Sequence, residues 1–446
     1  MKISAWLPPF LTRRLAGRET LQRSIDNVSW LLVDQVVRMV AGLLVGVWMA
    51  RYLGPEQYGW LSYAAAVVGT IGAFTSLGLN AVVVRELVRA PLAAAQWLGA
   101  AFFLKSLGAG VGFLACVGVA WLQPMPAAPM RLLVVIVGLG LLFQALDVFD
   151  LLYQAKGESR ISAYVRIAAC VLANLVKAGL ILGGASLPLL AAAGVFELAL
   201  CAAGWLWTGA KSGWSPGRFR VAGECVRTLL HESWPLALSG VAVYAQAYFD
   251  QLVIGQMIGS SELGQYAAAM RLVTAFSFLP MVVYTVAAPE ITRAKRDNPP
   301  LYHKRLFNLY RLMGGLFLVT AVPLMLAGPW LAGFLLGRSY LPAAALLPWL
   351  ALRLFFTNFG VARSVFLTNE GLFRFGLLTA VVGAAVNVAL NLWLVPVLGV
   401  RGAIVASMVS FGVTTFALEG FQPLARFNLR LMAAAVFLPW RSRPRY

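Results

Sequence analysis

Residues 29–79 read SWLLVDQVVRMVAGLLVGVWMARYLGPEQYGWLSYAAAVVGTIGAFTSLGL, and the rest of the chain follows their plan. A mostly apolar run over 30–50 ends in a short polar break at 51–59, and a second apolar run starts at Trp60. At about 1.5 Å of rise per residue, each run is long enough to cross a hydrocarbon core of roughly 30 Å. The stretch predicts a transmembrane helical hairpin with a tight turn. Asp34 and Arg38 sit inside its first helix, four residues apart and so on one face. Charges at that depth are costly in lipid and normally face a protein interior or a watery cavity, which raises an ion- or substrate-handling interior as the first hypothesis.

Composition places the remainder in the same class. Of 446 residues, 60% are hydrophobic and 12% charged, whereas soluble domains carry about 25% charged residues. A soluble enzyme with this balance would expose too much apolar surface. Cys116, Cys170, Cys201 and Cys225 are scattered, three of them in apolar runs, and read as small buried thiols outside any disulfide or metal set. His231 and His303 fall in polar loops, which excludes a histidine site inside the membrane.

Apolar runs predict twelve spans, near 30–50, 60–79, 98–121, 132–153, 162–183 and 187–208, then 235–258, 265–288, 308–328, 342–367, 374–395 and 402–421. With the N-terminus inside, the inner connections hold 24 basic residues and the outer ones 4, namely Arg51, Arg131, Arg338 and Arg401. That asymmetry predicts cytoplasmic termini. It also explains most of the net charge of +19 as an orientation device, so nucleic acid is not implied. Residues 1–28 mix Arg and Lys with Trp6, Phe10 and leucines, and predict a cytoplasmic amphipathic arm lying on anionic headgroups, not a cleaved signal. Residues 209–232 read as a cytoplasmic linker between six-helix bundles at 29–208 and 233–421, and 422–446 as a basic cytoplasmic tail.

The halves echo one another. Gly54-Pro-Glu-Gln-Tyr-Gly59 recurs as Gly259-Ser-Ser-Glu-Leu-Gly264, 205 residues later, and Tyr-Ala-Ala-Ala follows both at 63–66 and 266–269. An even number of helices separates the copies. The expected fold is therefore an all-α polytopic membrane protein, its two six-helix bundles related by a pseudo-two-fold along the membrane normal, a plan common in transporters.

Eight basic residues fall within the spans: Arg38, Lys105, Arg166, Lys177, Arg271, Arg311, Arg353 and Arg363. The acidic residues counted there are Asp34, Asp147, Asp150, Glu197 and Asp250. Arg311, Asp150 and Arg363 lie near span ends, where pairing or snorkelling accounts for them. The surplus of cations predicts a cationic lumen for a phosphate or other anion, with Arg38, Lys105, Arg166, Lys177, Arg271 and Arg353 binding substrate. Asp34, Asp147, Glu197 and Asp250 are the candidates for ion coupling or gating. Asp250 and Arg271 lie at matching depth, each about 15 Å from the second turn, and are expected to form a breakable ion pair. Asn358, Asn387 and Asn391 could line the lumen, with interhelical hydrogen bonding the stronger expectation.

The opening hairpin, with Asn27-Val-Ser-Trp30, Ala50-Arg-Tyr-Leu-Gly-Pro-Glu-Gln-Tyr-Gly59, Leu77-Gly-Leu-Asn80 and Arg85-Glu-Leu87, resembles the start of bacterial polysaccharide (O-antigen repeat-unit) flippases of the multidrug/oligosaccharidyl-lipid/polysaccharide exporter superfamily. Phe249-Asp-Gln-Leu252 and Gly264-Gln-Tyr266 resemble the start of their second half. The resemblance implies translocation of undecaprenyl-diphosphate-linked oligosaccharide across the bacterial inner membrane by alternating access, without a cofactor, a metal or a catalytic residue. It implies membrane lipids as surroundings, and a polysaccharide polymerase and a chain-length regulator as partners. The rivals are a peptidoglycan lipid-precursor flippase, a cation/drug antiporter, which would call for an acidic cavity, and a membrane polysaccharide polymerase, which would need a large external loop. Gly59 is followed by Trp60 and not by Lys-Ser/Thr, so the turn is no nucleotide-binding loop and the expected energy source is an ion gradient or downstream polymerisation.

Overall fold

The structure is a computed structural model that describes residues 19–122 and 128–437, with side chains over 29–122 and 129–437. The expected amphipathic arm at 1–28 thus lies outside the residues described in full, as does the tail beyond 437. The chain is an all-α polytopic membrane protein. Its helices are α1 (Glu19–Thr75), α2 (Leu79–Arg89), α3 (Ala94–Leu122), α4 (Ala128–Phe143), α5 (Val148–Lys156), α6 (Ser159–Leu182), α7 (Leu187–Lys211) and α8 (Gly223–Met257). They continue as α9 (Ser260–Thr274), α10 (Phe278–Asp297), α11 (Pro299–Leu336), α12 (Leu341–Asn369), α13 (Phe373–Leu398), α14 (Val400–Gly412) and α15 (Pro423–Phe437).

Among the described residues, 10 helical segments are long and apolar enough to cross a membrane. The first, Ser29–Arg89, is 61 residues long and holds the two runs of the opening hairpin. Helix α8 is not among the ten, although its 35 residues are long enough; Gln246, Asp250 and Gln251 thin its apolar character. Twelve expected spans are thereby reconciled with ten.

The hairpin turn is tighter than expected. The break read over 51–59 contracts to a single non-helical residue, Gly54, at φ 72° and ψ 172°. A left-handed φ is cheap only without a Cβ, and Pro55 then restarts the helix with its fixed φ and missing N–H. Gly259 repeats the device at φ 141° and ψ 171°, just ahead of α9.

Interruptions recur where charges cluster. The fourth span changes to 3₁₀ geometry at Gln144–Asp147, between α4 and α5, and the eighth is broken at 275–277, with Pro280 in the first turn of α10. After α14 the last span passes through a π-helical turn at Val413–Ala417 and a 3₁₀ turn at Leu418–Phe421. Such turns free backbone groups and re-aim side chains in the middle of a span.

The chain packs as two compact units. One takes the described residues through Gly46 together with Val67–Gly240; the other takes Val47–Ala66 with the described residues from Val241 onward. The hairpin tip therefore packs with second-half residues: Tyr340 Oη donates to the Ala50 carbonyl at 2.8 Å, and Gln256 donates to Tyr63 Oη at 2.8 Å.

In the first unit, Leu79, Leu98, Phe149, Tyr153 and Trp205 anchor the core. The segment 209–232, expected as the linker between the bundles, packs onto that core. Phe219 packs against Phe102 and Phe149, Leu229 is fully buried, and the Arg220 N–H donates to the Ala95 carbonyl. In the second unit, Tyr302, Tyr310, Met313, Phe359 and Phe366 form the core together with Leu431 and Met432. Those last two lie on α15, so residues 423–437 of the expected tail form a helix that packs along one apolar stripe.

Candidate functional site

The charges within the spans are the candidate site, and they assemble into separate networks. In the first unit, Asp34 sits between two guanidinium groups. Arg38 Nε lies 3.1 Å from its Oδ1, one helical turn along α1, and Arg166 Nε on α6 lies 3.0 Å from its Oδ2. Arg166 Nη1 also donates to Asp150 on α5 at 2.8 Å. The result is a string Arg38–Asp34–Arg166–Asp150, in which Asp34 is 3% exposed and Arg38 is 42% exposed. The string therefore has a buried middle and one end able to reach outward.

Asp147 and Asp150 lie three residues apart, yet they serve different cations. Lys105 on α3 donates to Asp147 at 2.5 Å and to Asn80 Oδ1 at 2.7 Å. These groups, with Thr75, Ser76 and Gln144, line a polar cavity of about 150 Å³ within the first unit. Lys105 is buried while the Asp147 side chain is 38% exposed, so the carboxylate is the accessible partner. Lys177 on α6 pairs with Glu197 on α7 at 2.9 Å.

In the second unit Asp250 is the centre. It is 1% exposed and accepts from the Tyr266 hydroxyl, from Ser407 Oγ at 3.2 Å and from the Gln251 N–H at 2.8 Å. Its cation is Arg353 on α12, 3.6 Å away, which also donates to the Ala247 carbonyl at 3.0 Å and stacks on Phe411. The expected partner, Arg271, instead donates to Tyr58 Oη at 3.4 Å. Depth counted along the chain from a turn does not choose among the helices that pass at one level, and Asp250 takes its cation from α12.

A second buried network lies in the same unit. Arg363 Nε donates to Glu419 at 2.6 Å, Asn428 donates to the other Glu419 oxygen at 3.0 Å, and the Tyr310 hydroxyl donates to Asn428 at 2.6 Å. Glu419 was missing from the carboxylates counted in the spans, because it falls in the last turns of the final apolar run. Its helical position inside 402–421 was the signal that could have found it.

These pairings correct the expectation of free cations. Of the eight basic residues in the spans, Arg38, Lys105, Arg166, Lys177, Arg353 and Arg363 each have a carboxylate within 4.0 Å. Arg271 bonds Tyr58 and Arg311 stacks on Phe307. Desolvation is the physical reason: a guanidinium sunk among apolar helices is strongly destabilising unless a counter-charge accompanies it. The asparagines behave as interhelical fasteners. Asn358 on α12 donates to the Met313 carbonyl on α11, and Asn387 on α13 donates to Ser410 on α14.

The fold has known relatives. It resembles the lipid II flippase MurJ in an inward closed conformation, with a TM-score of 0.72 at 13% identity over 91% of this chain and 90% of that one. It resembles an inward-facing multidrug resistance MATE family transporter of the MOP superfamily, with a TM-score of 0.69 at 15% identity over 89% and 95% of the two chains. A MOP superfamily transporter from Pyrococcus furiosus, described by a reversed polarity of its binding pocket, aligns with a TM-score of 0.63 at 15% identity over 92% and 97%. At these identities the likeness is one of fold. No curated protein matches the sequence. The model of the polysaccharide biosynthesis protein family matches residues 24–295, more than half of the chain, and the chain belongs to that family.

Proposed function

We propose that this chain is a flippase that moves undecaprenyl-diphosphate-linked polysaccharide repeat units from the cytoplasmic to the periplasmic leaflet of the bacterial inner membrane. Membership of the polysaccharide biosynthesis family carries the reading. The multi-pass fold, shared with transporters and with a lipid-linked-precursor flippase, supports it. The protein acts as a carrier and not as an enzyme, by alternating access of bundles 29–208 and 233–421, with both termini cytoplasmic. The energy comes from an ion gradient.

In this reading the buried ion pairs are exchangeable. A diphosphate competes with Asp34 for the exposed guanidinium of Arg38, and Asp34 then keeps Arg166 as its counter-charge. Lys105, Lys177 and Arg353 present further positive charge as their carboxylates titrate or turn away, and Arg271 adds its own as it leaves Tyr58, so Asp147, Glu197 and Asp250 couple ion movement to substrate. A pair that can open answers a ligand without leaving a permanently bare charge in lipid.

Deleting the gene and analysing the lipid-linked intermediates tests the proposal. Undecaprenyl-linked oligosaccharide should accumulate in the inner leaflet while peptidoglycan synthesis continues. The fold's likeness to the lipid II flippase favours a second reading, transport of the peptidoglycan precursor. Accumulation of that precursor in place of the oligosaccharide would establish the second reading and refute the first. Normal surface glycan combined with sensitivity to cationic dyes would refute both in favour of a drug antiporter.

A further inference from the structure

A groove of about 590 Å³ runs between α6 and α7, within the first unit. Its walls are apolar from Ile161 to Leu172 on α6 and from Leu200 to Trp207 on α7, and its polar end is closed by Lys211 and Ser212. Gly204 lets the two helices approach closely at its floor, where a Cβ would meet Val165 Cγ1 at 2.7 Å. At about 1.5 Å per residue, the eleven steps from Ile161 to Leu172 span roughly 17 Å, close to half of a 30 Å hydrocarbon core. At about 100° per residue, Tyr164, Ala168 and Leu172 lie on the side of α6 roughly opposite to Arg166 and Lys177. The groove thus turns away from the ion-pair networks.

Three cations gather at its polar end. Lys211 Nζ sits 3.8 Å from the centre of the Trp207 ring. Arg160 stacks on Trp30 and Tyr164 and donates to Tyr164 Oη at 3.3 Å, and Lys156 lies over Trp214. Among the described residues none of the three has a carboxylate partner within 4.0 Å, in contrast with most of the basic residues in the spans. Cations resting on aromatic faces at a membrane-interface level keep their charge available to an anion.

We propose that this groove is a specific site for one anionic phospholipid of the adjoining leaflet, its phosphodiester held by Lys211 and Arg160 and one acyl chain lying along α6 and α7. Basic pockets between helices on the positively charged face of a membrane protein suit such headgroups. The groove's length selects the occupant, because it fits a chain one leaflet long, whereas a carrier isoprenoid chain is longer than a leaflet. The site stands apart from the transport path and does not depend on the substrate proposed above.

The test uses the full-length protein reconstituted in vesicles of phosphatidylcholine doped with phosphatidylglycerol, followed by native mass spectrometry of retained lipid. One phosphatidylglycerol per chain should be held in preference to phosphatidylcholine. Removing both charges, in Arg160→Gln/Lys211→Gln, should weaken that retention on the order of 30-fold, at about 1 kcal/mol for each basic residue near an anionic surface. Ala168→Trp, which fills the groove from its exposed side and leaves the charges in place, should abolish it, and serves as an independent reading if the charge variant misfolds. Equal retention of the two phospholipids, or retention unaltered in the variants, would reduce the groove to ordinary annular contact and overturn the proposal. Displacement of phosphatidylglycerol by an equal amount of undecaprenyl phosphate would overturn it too, by assigning the groove to the carrier lipid.

Discussion

Gly59 and Gly264 hold corresponding places in two turns 205 residues apart, and each lies against the backbone that opens the other turn's helix. A side chain on Gly59 would overlap the carbonyl of Ser260, and one on Gly264 would overlap the carbonyl of Pro55. Pro55 and Ser260 are themselves related by the same offset. Contact of one residue with a second, matched by contact between their counterparts, is the signature of a local two-fold axis. The repeat noticed in the sequence is therefore a packing relationship within the second unit, and glycine is required because two backbones meet with no room for a Cβ.

Gly59→Ala and Gly264→Ala should each destabilise the protein by about 1–3 kcal/mol or more, since a methyl group pressed on a peptide oxygen cannot be relieved by rotating a side chain. The double variant should cost less than the sum of the two, because both disturb one contact. Gly333→Ala is the control: its added methyl meets nothing within 4 Å, and it should leave stability unchanged or slightly raised. Thermal melting followed by size-exclusion chromatography measures all four. A Gly264→Ala variant as stable as the control would show that the reciprocal contact does not hold these turns together.

The features legible in the sequence are those that depend on near neighbours along the chain. Asp34 and Arg38 were placed on one face by their spacing of four, and they do form a pair. The turn at Gly54 was visible because glycine followed by proline interrupts an apolar run, though only backbone angles show that one residue suffices. Arg353 could not be read as the partner of Asp250, because the two lie on helices brought together by packing, and no local period encodes that neighbour. The surplus of cations was inferred from a count of types, and counting cannot foresee that Arg166 will bridge two carboxylates. The segment 209–232 reads as a linker because it is rich in glycine and charge, and that composition does not reveal that Phe219 and Leu229 fasten it to the first unit.

Asp250→Asn should separate stability from transport. The neutral side chain keeps the shape and can still accept from Tyr266 and Ser407, but Arg353 is left buried without a counter-charge, at a cost of about 3–5 kcal/mol. Replacing both, in Asp250→Asn/Arg353→Met, should recover much of that loss, because no naked charge remains. Complementation of a deletion strain should fail with both variants if the pair opens during transport. Recovery of transport together with stability in the double variant would make the pair a purely structural one.

Accessibility distinguishes the two aspartates that pair with cations in different units. Asp147 borders a polar cavity and is 38% exposed, whereas Asp250 is 1% exposed behind Tyr266 and Ser407. In a background lacking the four native cysteines, Asp147→Cys should react quickly with a membrane-impermeant thiol reagent added to open membranes. Asp250→Cys should react at least tenfold more slowly. Equal rates would mean that water reaches Asp250 as freely as it reaches the cavity beside Lys105.

Glu419 should behave differently from both. It is fully buried and engaged by Arg363 and Asn428, while Asn428 is held in turn by Tyr310, so every strong group in the network has a partner within the second unit. Nothing in that arrangement leaves a charge free for an anion or an ion, and α15 contributes Asn428 only because it is docked there. Glu419→Gln should therefore destabilise the protein by about 3–5 kcal/mol, the cost of neutralising one side of a buried pair, and lower the melting temperature accordingly. Asn428→Ala should cost less, about 1–3 kcal/mol for acceptors and donors left unsatisfied. Transport per folded molecule should stay at the wild-type level in both, once the signal is normalised to protein that elutes as a single species. A Glu419→Gln variant that melts normally but fails to transport would move this network out of the scaffold and into the ion-coupling path.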